Sequence, residues 1–296
     1  MENTSKVTTL EVADGSETPQ NHGEPGVRSV TDLTDPQESI LRTMVTAATC
    51  PLDYTYERDS LSHLYADAAW LSDDPNEDLF PQARDLIRRH QTLARSTQVN
   101  IDDIDLEIHP NVLSPTLTTT SRFFVQAILD QYPRGNILEM GTGTGFCLCK
   151  IGLAVPDAAL FGTDINLDAV NVTRRNLARH GLRGLVCRSD LYDNIDPKVR
   201  FDMIVFNPPL LYASAHNELE RAIFDAGAVT IRRFLKGLRG ALKPDGRSII
   251  LSTDRNHRDG RGPAFPAILN EFELRHRVVA TLDRGFETYG AYLVEI

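Results

Sequence analysis

The sequence predicts an α/β fold with a doubly wound, mostly parallel sheet, an antiparallel C-terminal hairpin and an N-terminal helical region. Three observations lead to this fold class. From about residue 100, short apolar runs alternate with amphipathic segments, a glycine-rich turn follows one of these runs, and two final strand-like segments flank a turn sequence. Alternating strands and helices are typical of a parallel sheet covered on both faces.

The predicted elements follow from hydrophobic periodicity. Strand-like runs occupy residues 104–108, 136–140, 159–163, 185–188, 203–206 and 248–252. Helical spacing is found at 83–94, 167–180 and 222–242. The last two strands, 274–280 and 288–294, are joined by Asp283-Arg284-Gly285, which predicts a hairpin turn.

Composition excludes several classes of protein. The chain has 296 residues, of which 41% are hydrophobic and 24% charged, with a net charge of −10 and four cysteines. These values exclude a collagen or a coiled coil, and the few cysteines argue against a disulfide framework. No apolar stretch approaches the roughly 18 residues of a membrane span. We therefore expect a cytoplasmic protein without a membrane segment, and the acidic charge disfavours nucleic acid as a partner.

Three segments differ in character. Residues 1–35 carry seven acidic and two basic side chains and no aromatic residue, which predicts a disordered acidic tail. Residues 36–100 begin with Asp35-Pro36-Gln37-Glu38, a helix-capping pattern, and are predicted to form a helical substrate or lid region. Residues 101–296 hold the strand–helix alternation and are predicted to form the main domain.

A glycine-rich turn is the strongest motif. Gly141-Thr142-Gly143-Thr144-Gly145 directly follows the apolar run 136–140. A dinucleotide site needs the spacing G-x-G-x-x-G, and a phosphate loop needs Gly-Lys-Ser/Thr after its glycines. Neither pattern is present, so the predicted ligand is not held by phosphates.

Acidic residues accompany the ends of the following strands. Asp164 suits a ribose diol, and Asp190 can accept from an adenine amine while Leu191 packs against the ring. Glu139, two residues before the first glycine, could receive an ammonium group. Ribose, adenine and an amino acid without phosphate describe S-adenosylmethionine. Cys147 and Cys149 provide too few ligands for zinc, so no metal site is expected.

A second motif, Asn207-Pro208-Pro209-Leu210, follows the buried run 203–206. Its side-chain and backbone carbonyls are neutral acceptors that can hold an N–H group without removing its proton. Such acceptors can orient a planar nitrogen, or push electron density onto an indole carbon, for in-line methyl transfer. The basic run from Arg232 to Lys243 is interpreted as a solvated helix face.

From about residue 105 to 296 the chain resembles the class I S-adenosylmethionine-dependent methyltransferases, whose fold is Rossmann-like. In that family the glycine turn holds the methionine part, and acids after the second and third strands hold ribose and adenine. The expected cofactor-binding residues are Glu139, Gly141, Thr142, Gly143, Gly145, Asp164, Ile165, Asp190, Leu191 and Asn207. The expected catalytic residues are Asn207, Pro208 and Pro209.

The Asn-Pro-Pro motif narrows the resemblance to methyltransferases of glutamine side chains and of nucleobase amino groups. Residues 108–120 and Phe224-Asp225-Ala226-Gly227 are also similar to segments of the glutamine enzymes. However, Leu210 replaces an aromatic residue, and 115–120 lack the arginine and acids of that family. These departures favour a small-molecule acceptor enclosed by the helical region. Its candidate contacts are Tyr212, Tyr54, Tyr56, Trp70 and His216.

The sequence therefore predicts a methyltransferase that modifies a small molecule at a planar nitrogen or an electron-rich aromatic carbon. An indole-type compound in natural product biosynthesis is one such acceptor. Two alternatives stay open: a methyltransferase of a protein glutamine amide or a nucleobase amino group, and a non-catalytic module that binds the cofactor. The sequence does not indicate whether the protein forms oligomers.

Overall fold

The computed structural model describes residues 80–296. The predicted acidic tail, most of the predicted helical region, and Tyr54, Tyr56 and Trp70 lie outside the described residues. A two-stranded sheet and a seven-stranded sheet form the β-structure of residues 80–296.

The small sheet is an antiparallel hairpin of β1 (Thr97–Ile101) and β2 (Ile104–Ile108). The large sheet contains β3 (Asn136–Met140), β4 (Ala159–Asp164), β5 (Gly184–Arg188), β6 (Phe201–Phe206), β7 (Leu242–Thr253), β8 (Arg275–Asp283) and β9 (Thr288–Glu295). Its strand order is β5-β4-β3-β6-β7-β9-β8. The first five strands in that order are parallel, and β9 pairs antiparallel with both β7 and β8.

Helices lie between the parallel strands in the chain, except between β5 and β6. In chain order they are α1 (Pro81–His90), α2 (Thr120–Leu129), α3 (Phe146–Ala154), α4 (Leu167–Arg179), α5 (Glu218–Arg221), α6 (Val229–Ala241), α7 (Arg255–Arg258) and α8 (Phe265–Glu271), with short 3₁₀ turns at Pro115–Leu117 and Ala226–Ala228. The predicted fold class, a doubly wound mostly parallel sheet with an antiparallel C-terminal hairpin, is confirmed. No helix within residues 80–296 combines the length and apolar character that crossing a membrane requires.

Alternate residues of the central strands face opposite sides of the sheet and build two apolar clusters. On one side Leu138 and Phe206 join α6 residues such as Phe234. On the other side Ile137 and Val205 join α2 and α3 residues such as Leu148. Because both faces are covered, the central strands are mostly apolar, which explains the nearly continuous apolar runs in the sequence; Glu139 of β3 is an exception.

Several elements differ from the sequence prediction; for example, β7 begins at Leu242, six residues before the predicted run 248–252. The helix predicted at 222–242 begins only at Val229, because Gly227 and Ala228 have φ values of 71° and 57° and break the helical path. The strand β1 lies where no strand was expected. Its turn, Asp102-Asp103, has both φ values positive at 49° and 65°, as a tight two-residue hairpin requires.

Candidate functional site

Three predicted features lie side by side at the carboxyl edge of the sheet. Met140, the last residue of β3, pairs with Thr163 of β4 on one side and with Phe206 of β6 on the other. The residues that follow these strand ends are the glycine turn, Asp164 and Asn207. The parallel register therefore brings together motifs as distant in the chain as Gly141 and Asn207.

The glycine turn depends on left-handed backbone conformations. Gly141, Gly143 and Gly145 have φ values of 67°, 52° and 77°. A Cβ on Gly145 would lie 2.8 Å from the Thr173 methyl group, whereas a Cβ on Gly143 would meet nothing within 4 Å. Gly143 is thus required by its backbone conformation alone, and the space above it is open for a ligand.

Asp164 is fixed by the turn it is predicted to serve. Its Oδ2 accepts from the Gly143 amide at 2.9 Å, and its Oδ1 accepts from the Asn166 amide at 2.9 Å. Burial raises the pKa of its carboxyl to about 6, although these amide hydrogen bonds act in the opposite direction. The backbone amide of Ile165 also donates to this carboxyl, which has about four lone-pair sites and so can still accept from a hydroxyl.

Glu139 lies beneath the turn. Its side chain is buried, and Oε2 accepts from the Leu148 amide in the first turns of α3 at 3.0 Å. Burial raises the pKa of this carboxyl to about 8. A bound ammonium group would place a positively charged partner beside this buried carboxyl. That contact stays a prediction.

Thr142 has a side chain that is only 3% exposed, and its hydroxyl has no hydrogen-bond partner within the described part of the chain. Its methyl group lies close above Gly162 of β4, where a Cβ would approach it to 2.5 Å. A buried hydroxyl without a partner is costly, and a bound ligand would remove that cost.

Two residues of α4 hold the turn from behind, and the sequence reasoning missed both. The Thr173 hydroxyl donates to the Gly143 carbonyl at 3.1 Å, and the Asn176 amide donates to the Thr144 carbonyl at 2.8 Å. Asn176 also exchanges two hydrogen bonds with the backbone of Glu107 on β2, at 2.7 and 3.0 Å. The available signal was two polar residues, three apart, on the apolar face of a helix.

The loop after β5 carries Asp190 and Leu191. Leu191 is buried with a φ of 52°, and Asp190 forms an ion pair with Arg233 of α6 at 3.0 Å. The interpretation of the basic run on α6 as a solvated face is therefore wrong for Arg233. Ile165, directly after β4, accepts a hydrogen bond from Arg188 through its backbone carbonyl at 2.9 Å.

The Asn207-Pro208-Pro209 segment leaves the sheet beside the glycine turn. Within residues 80–296 the Asn207 side chain, which is partly exposed, has no hydrogen-bond partner, and Pro208 is buried. The segment after the motif is held by Asn256 of α7, whose side chain donates to the Leu210 carbonyl and accepts from the Tyr212 amide, both at 2.8 Å. Sequence reasoning also missed Asn256, which supports the segment after the Asn-Pro-Pro motif rather than the glycine turn.

The two described candidates for substrate contact, Tyr212 and His216, lie in different environments. The Tyr212 side chain is 7% exposed and lies in the apolar cluster on the α6 side of the sheet. Burial gives its ring a packing role, and substrate contact stays a prediction. His216 is exposed, and its backbone amide donates to Glu220 at 2.7 Å. Residues 80–296 contain no cluster of three or more histidine, cysteine or acidic side chains arranged to hold a metal ion.

Comparison with known proteins supports the resemblance. Residues 103–258, more than half of the chain, match the methyltransferase small domain. The chain is 30% identical over 190 residues to the release factor glutamine methyltransferase of Rhodopirellula baltica, covering 60% of each chain. It is 26% identical over 198 residues to the ribosomal RNA small subunit methyltransferase C of Cronobacter sakazakii, covering 66% of this chain and 52% of the relative. It thus spans about half to three fifths of these relatives.

A solved structure has a similar fold. The T. thermophilus 16S rRNA N2 G1207 methyltransferase, in complex with AdoMet and guanosine, superposes with a TM-score of 0.50 at 18% sequence identity. The match covers 68% of this chain and 50% of that chain. At this identity the likeness concerns the fold alone, and it agrees with the strand order described above.

These relatives correct one prediction and confirm another. The expected small-molecule acceptor, with nucleic acid disfavoured, is wrong as a prediction of the partner, because both curated relatives are named for macromolecular substrates. The indole acceptor and natural product biosynthesis find no support among them. The predicted family and its fold class are confirmed: this protein belongs to the methyltransferase small domain family.

Proposed function

We propose that this protein is an S-adenosylmethionine-dependent methyltransferase that modifies a planar nitrogen of a macromolecule, in the first place a glutamine side-chain amide of a protein. One observation carries the proposal. The glycine turn and Asn207 leave adjacent strands whose last residues, Met140 and Phe206, are paired in register. A methyl group bound over the turn and a nitrogen held by Asn207 would therefore be neighbours.

The cofactor half of this proposal uses groups along one edge. Glu139 and the turn would receive the methionine part, with the Thr142 hydroxyl as a further donor or acceptor. Asp164 would accept from the ribose hydroxyls, and Asp190 from the adenine amine. The raised pKa of Glu139, about 8, matches a carboxyl that ionises when an ammonium group arrives.

The acceptor half uses carbonyl oxygens. The Asn207 side-chain carbonyl and the neighbouring backbone carbonyls would accept the two N–H groups of the acceptor amide and turn its lone pair toward the methyl group. The bond from sulfur to methyl breaks as the bond from methyl to nitrogen forms, S-adenosylhomocysteine leaves, and the nitrogen then loses one proton to solvent. Positive charge grows on the N–H groups during transfer, so these hydrogen bonds favour the transition state.

Two segments that resemble the glutamine enzymes meet in space, which supports glutamine as the acceptor. The Asp225 amide donates to the Leu211 carbonyl at 2.8 Å, directly after the Asn-Pro-Pro motif. The Asp225 carboxylate accepts from the amides of Thr230 and Ile231 at 2.9 and 3.2 Å and so caps α6. The relative with 30% identity is named for the same substrate.

A nucleobase amino group is the second candidate acceptor. It presents the same planar NH₂ group to Asn207, and the relative from Cronobacter sakazakii, at 26% identity, is named for ribosomal RNA. Both acceptors use the same hydrogen-bonding geometry, so the experiment must separate them by the molecule that receives the methyl group.

The test supplies the protein with methyl-labelled S-adenosylmethionine, together with either purified release factors or ribosomal subunits. We expect label in a release factor, resistant to nuclease, and a methylated glutamine by mass spectrometry of its peptides. Label in RNA would instead support the second candidate acceptor, a nucleobase amino group. Cofactor binding without transfer to any macromolecule would overturn the proposal.

A further inference from the structure

We propose that Arg233 of α6 is a positioning residue that orients Asp190 for the adenine of the cofactor and thereby sets the preference for adenine over hypoxanthine. The inference rests on the proposed cofactor and goes beyond it, because Arg233 belongs to neither the glycine turn nor the strand ends. It acts from α6, the second α-helix after the Asn-Pro-Pro segment in the chain.

The contact between the two side chains has a particular form. The Arg233 Nη1 lies 3.1 Å from Oδ1 and 3.0 Å from Oδ2 of Asp190. One nitrogen that touches both oxygens directs the carboxylate toward α6 and occupies its inner lone pairs. The outer lone pairs stay available to a donor. The two side chains are 32% and 16% exposed, so solvent only partly screens the pair.

The loop itself is attached to α6 without Arg233. The Tyr192 hydroxyl donates to the Phe234 carbonyl at 3.2 Å, and the two rings stack with centroids 5.7 Å apart. The Tyr192 ring also covers Gly237, where a Cβ would approach it to 2.5 Å. Removing the guanidinium should therefore leave the loop docked and change the direction of Asp190.

A nearby carboxylate adds to the need for Arg233. Burial and the Asp190 charge raise the pKa of Asp193, whereas Arg233 lowers it. Without the guanidinium the two carboxylates of this loop would repel each other, and Asp190 would turn toward solvent.

Orientation of Asp190 has a consequence for selectivity. A carboxylate offers acceptors only, so a correctly directed Asp190 favours the exocyclic amine of adenine and disfavours the carbonyl oxygen that hypoxanthine carries at that position. A site that pairs a specific donor discriminates strongly against an analogue that lacks it. Loss of Arg233 should reduce this discrimination.

Calorimetry with two ligands tests the inference: S-adenosylhomocysteine and its inosine counterpart, in which a carbonyl replaces the amine. We expect wild type to prefer the adenine ligand by about 100-fold, and Arg233→Gln to bind it about tenfold more weakly with a similarly reduced preference. Arg233→Lys should recover part of the preference. The matched control is Arg232→Gln, because Arg232 on the same helix pairs with Glu271 at 2.8 Å and should leave both affinities unchanged.

A double variant separates positioning from a general structural role. In an Asp190→Asn background, Arg233→Gln should have no further effect on either affinity. A persistent tenfold effect in that background, or an unchanged preference in Arg233→Gln, would overturn the inference. Should Arg233→Gln fail to fold, Arg233→Lys takes its place in the same cycle. A wild-type protein that binds neither nucleoside would instead overturn the proposed cofactor.

Discussion

The two halves of the proposed site are supported in different ways. On the cofactor half, the glycine turn is held at several backbone groups, by Asp164 on one side and by Thr173 and Asn176 on the other. On the acceptor half, the support lies beyond the motif: Asn256 fixes Leu210 and Tyr212, while the Asn207 side chain has no partner within residues 80–296.

This difference indicates how the work is divided between the halves. Because backbone groups of the glycine turn are already hydrogen-bonded, ordering the turn around one constant ligand costs little free energy. An asparagine whose side-chain amide is unpaired within residues 80–296, on a backbone stiffened by two prolines, would have its hydrogen-bonding groups available for the proposed acceptor. Substitutions should therefore affect cofactor binding in one half and turnover in the other.

The largest effect is expected for Asn207→Ala. Loss of its carbonyl removes a hydrogen bond that strengthens in the transition state, so turnover should fall by about 10²- to 10³-fold. The affinity for S-adenosylhomocysteine should fall much less than turnover. Single-turnover methylation and calorimetry measure the two quantities separately. Asn100→Ala, at an exposed asparagine of β1, is the control. Equal losses in both quantities would contradict the separation of the halves.

The next effect concerns Asp164→Ala. This change removes the proposed ribose acceptor and leaves the Gly143 amide without its partner, so cofactor affinity should fall by about 100-fold. At saturating cofactor, turnover should be largely kept. Calorimetric titration checks the first result and initial rates the second, with the exposed Asp157→Ala as control. Unchanged affinity would remove Asp164 from the site.

Asn176→Ala tests the support behind the glycine turn. It leaves the Glu107 amide and the Thr144 carbonyl unpaired in a buried place, which should lower the free energy of unfolding by about 2–3 kcal/mol. Arg175→Ala, which breaks the neighbouring exposed ion pair with Glu107, should cost less than about 1 kcal/mol. Urea unfolding of both variants gives the comparison. Equal costs would mean that Asn176 gives the turn no special support.

The buried Glu139 carboxyl should make the free energy of unfolding depend on pH. In the folded protein the pKa of this carboxyl is about 8, above its ordinary value of 4.5. Its protonated form therefore contributes to the stability of the fold at pH 4.5, and this contribution is lost as the pH rises toward 8. The free energy of unfolding of the free protein should fall by about 1.4 kcal/mol per pH unit in this window. Glu139→Gln should remove this slope while weakening cofactor binding. Denaturant unfolding from pH 5 to 9 checks it, and parallel slopes in both proteins would assign the effect to other groups.

Sequence alone predicted what depends on local pattern. The run 136–140 coincides with β3, and 159–163 falls one residue short of β4, because continuous apolar runs end there at glycine or aspartate. Asp164 reaches the Gly143 amide because it ends the neighbouring strand, and that neighbourhood follows from the fold class. The start of α6 was missed because the turn at Gly227 and Ala228 has no apolar signature.

Residues that act across the fold could not be predicted in this way. Asn176, Arg233 and Asn256 reach partners that lie 32, 43 and 44 residues away in sequence. Each is a polar residue on a helix, and such residues are ordinarily solvated. Only the packing of α4, α6 and α7 against the sheet edge brings them to their partners.

The hairpin of β1 and β2 also determines how far the protein can be trimmed. Within residues 80–296, β2 pairs with β1 alone, and it carries the Glu107 backbone that Asn176 holds together with the glycine turn. A fragment starting at residue 103, where the family match begins, would retain β2 but lose its partner strand. The smallest fragment that keeps the glycine turn supported from behind must therefore start at or before Thr97.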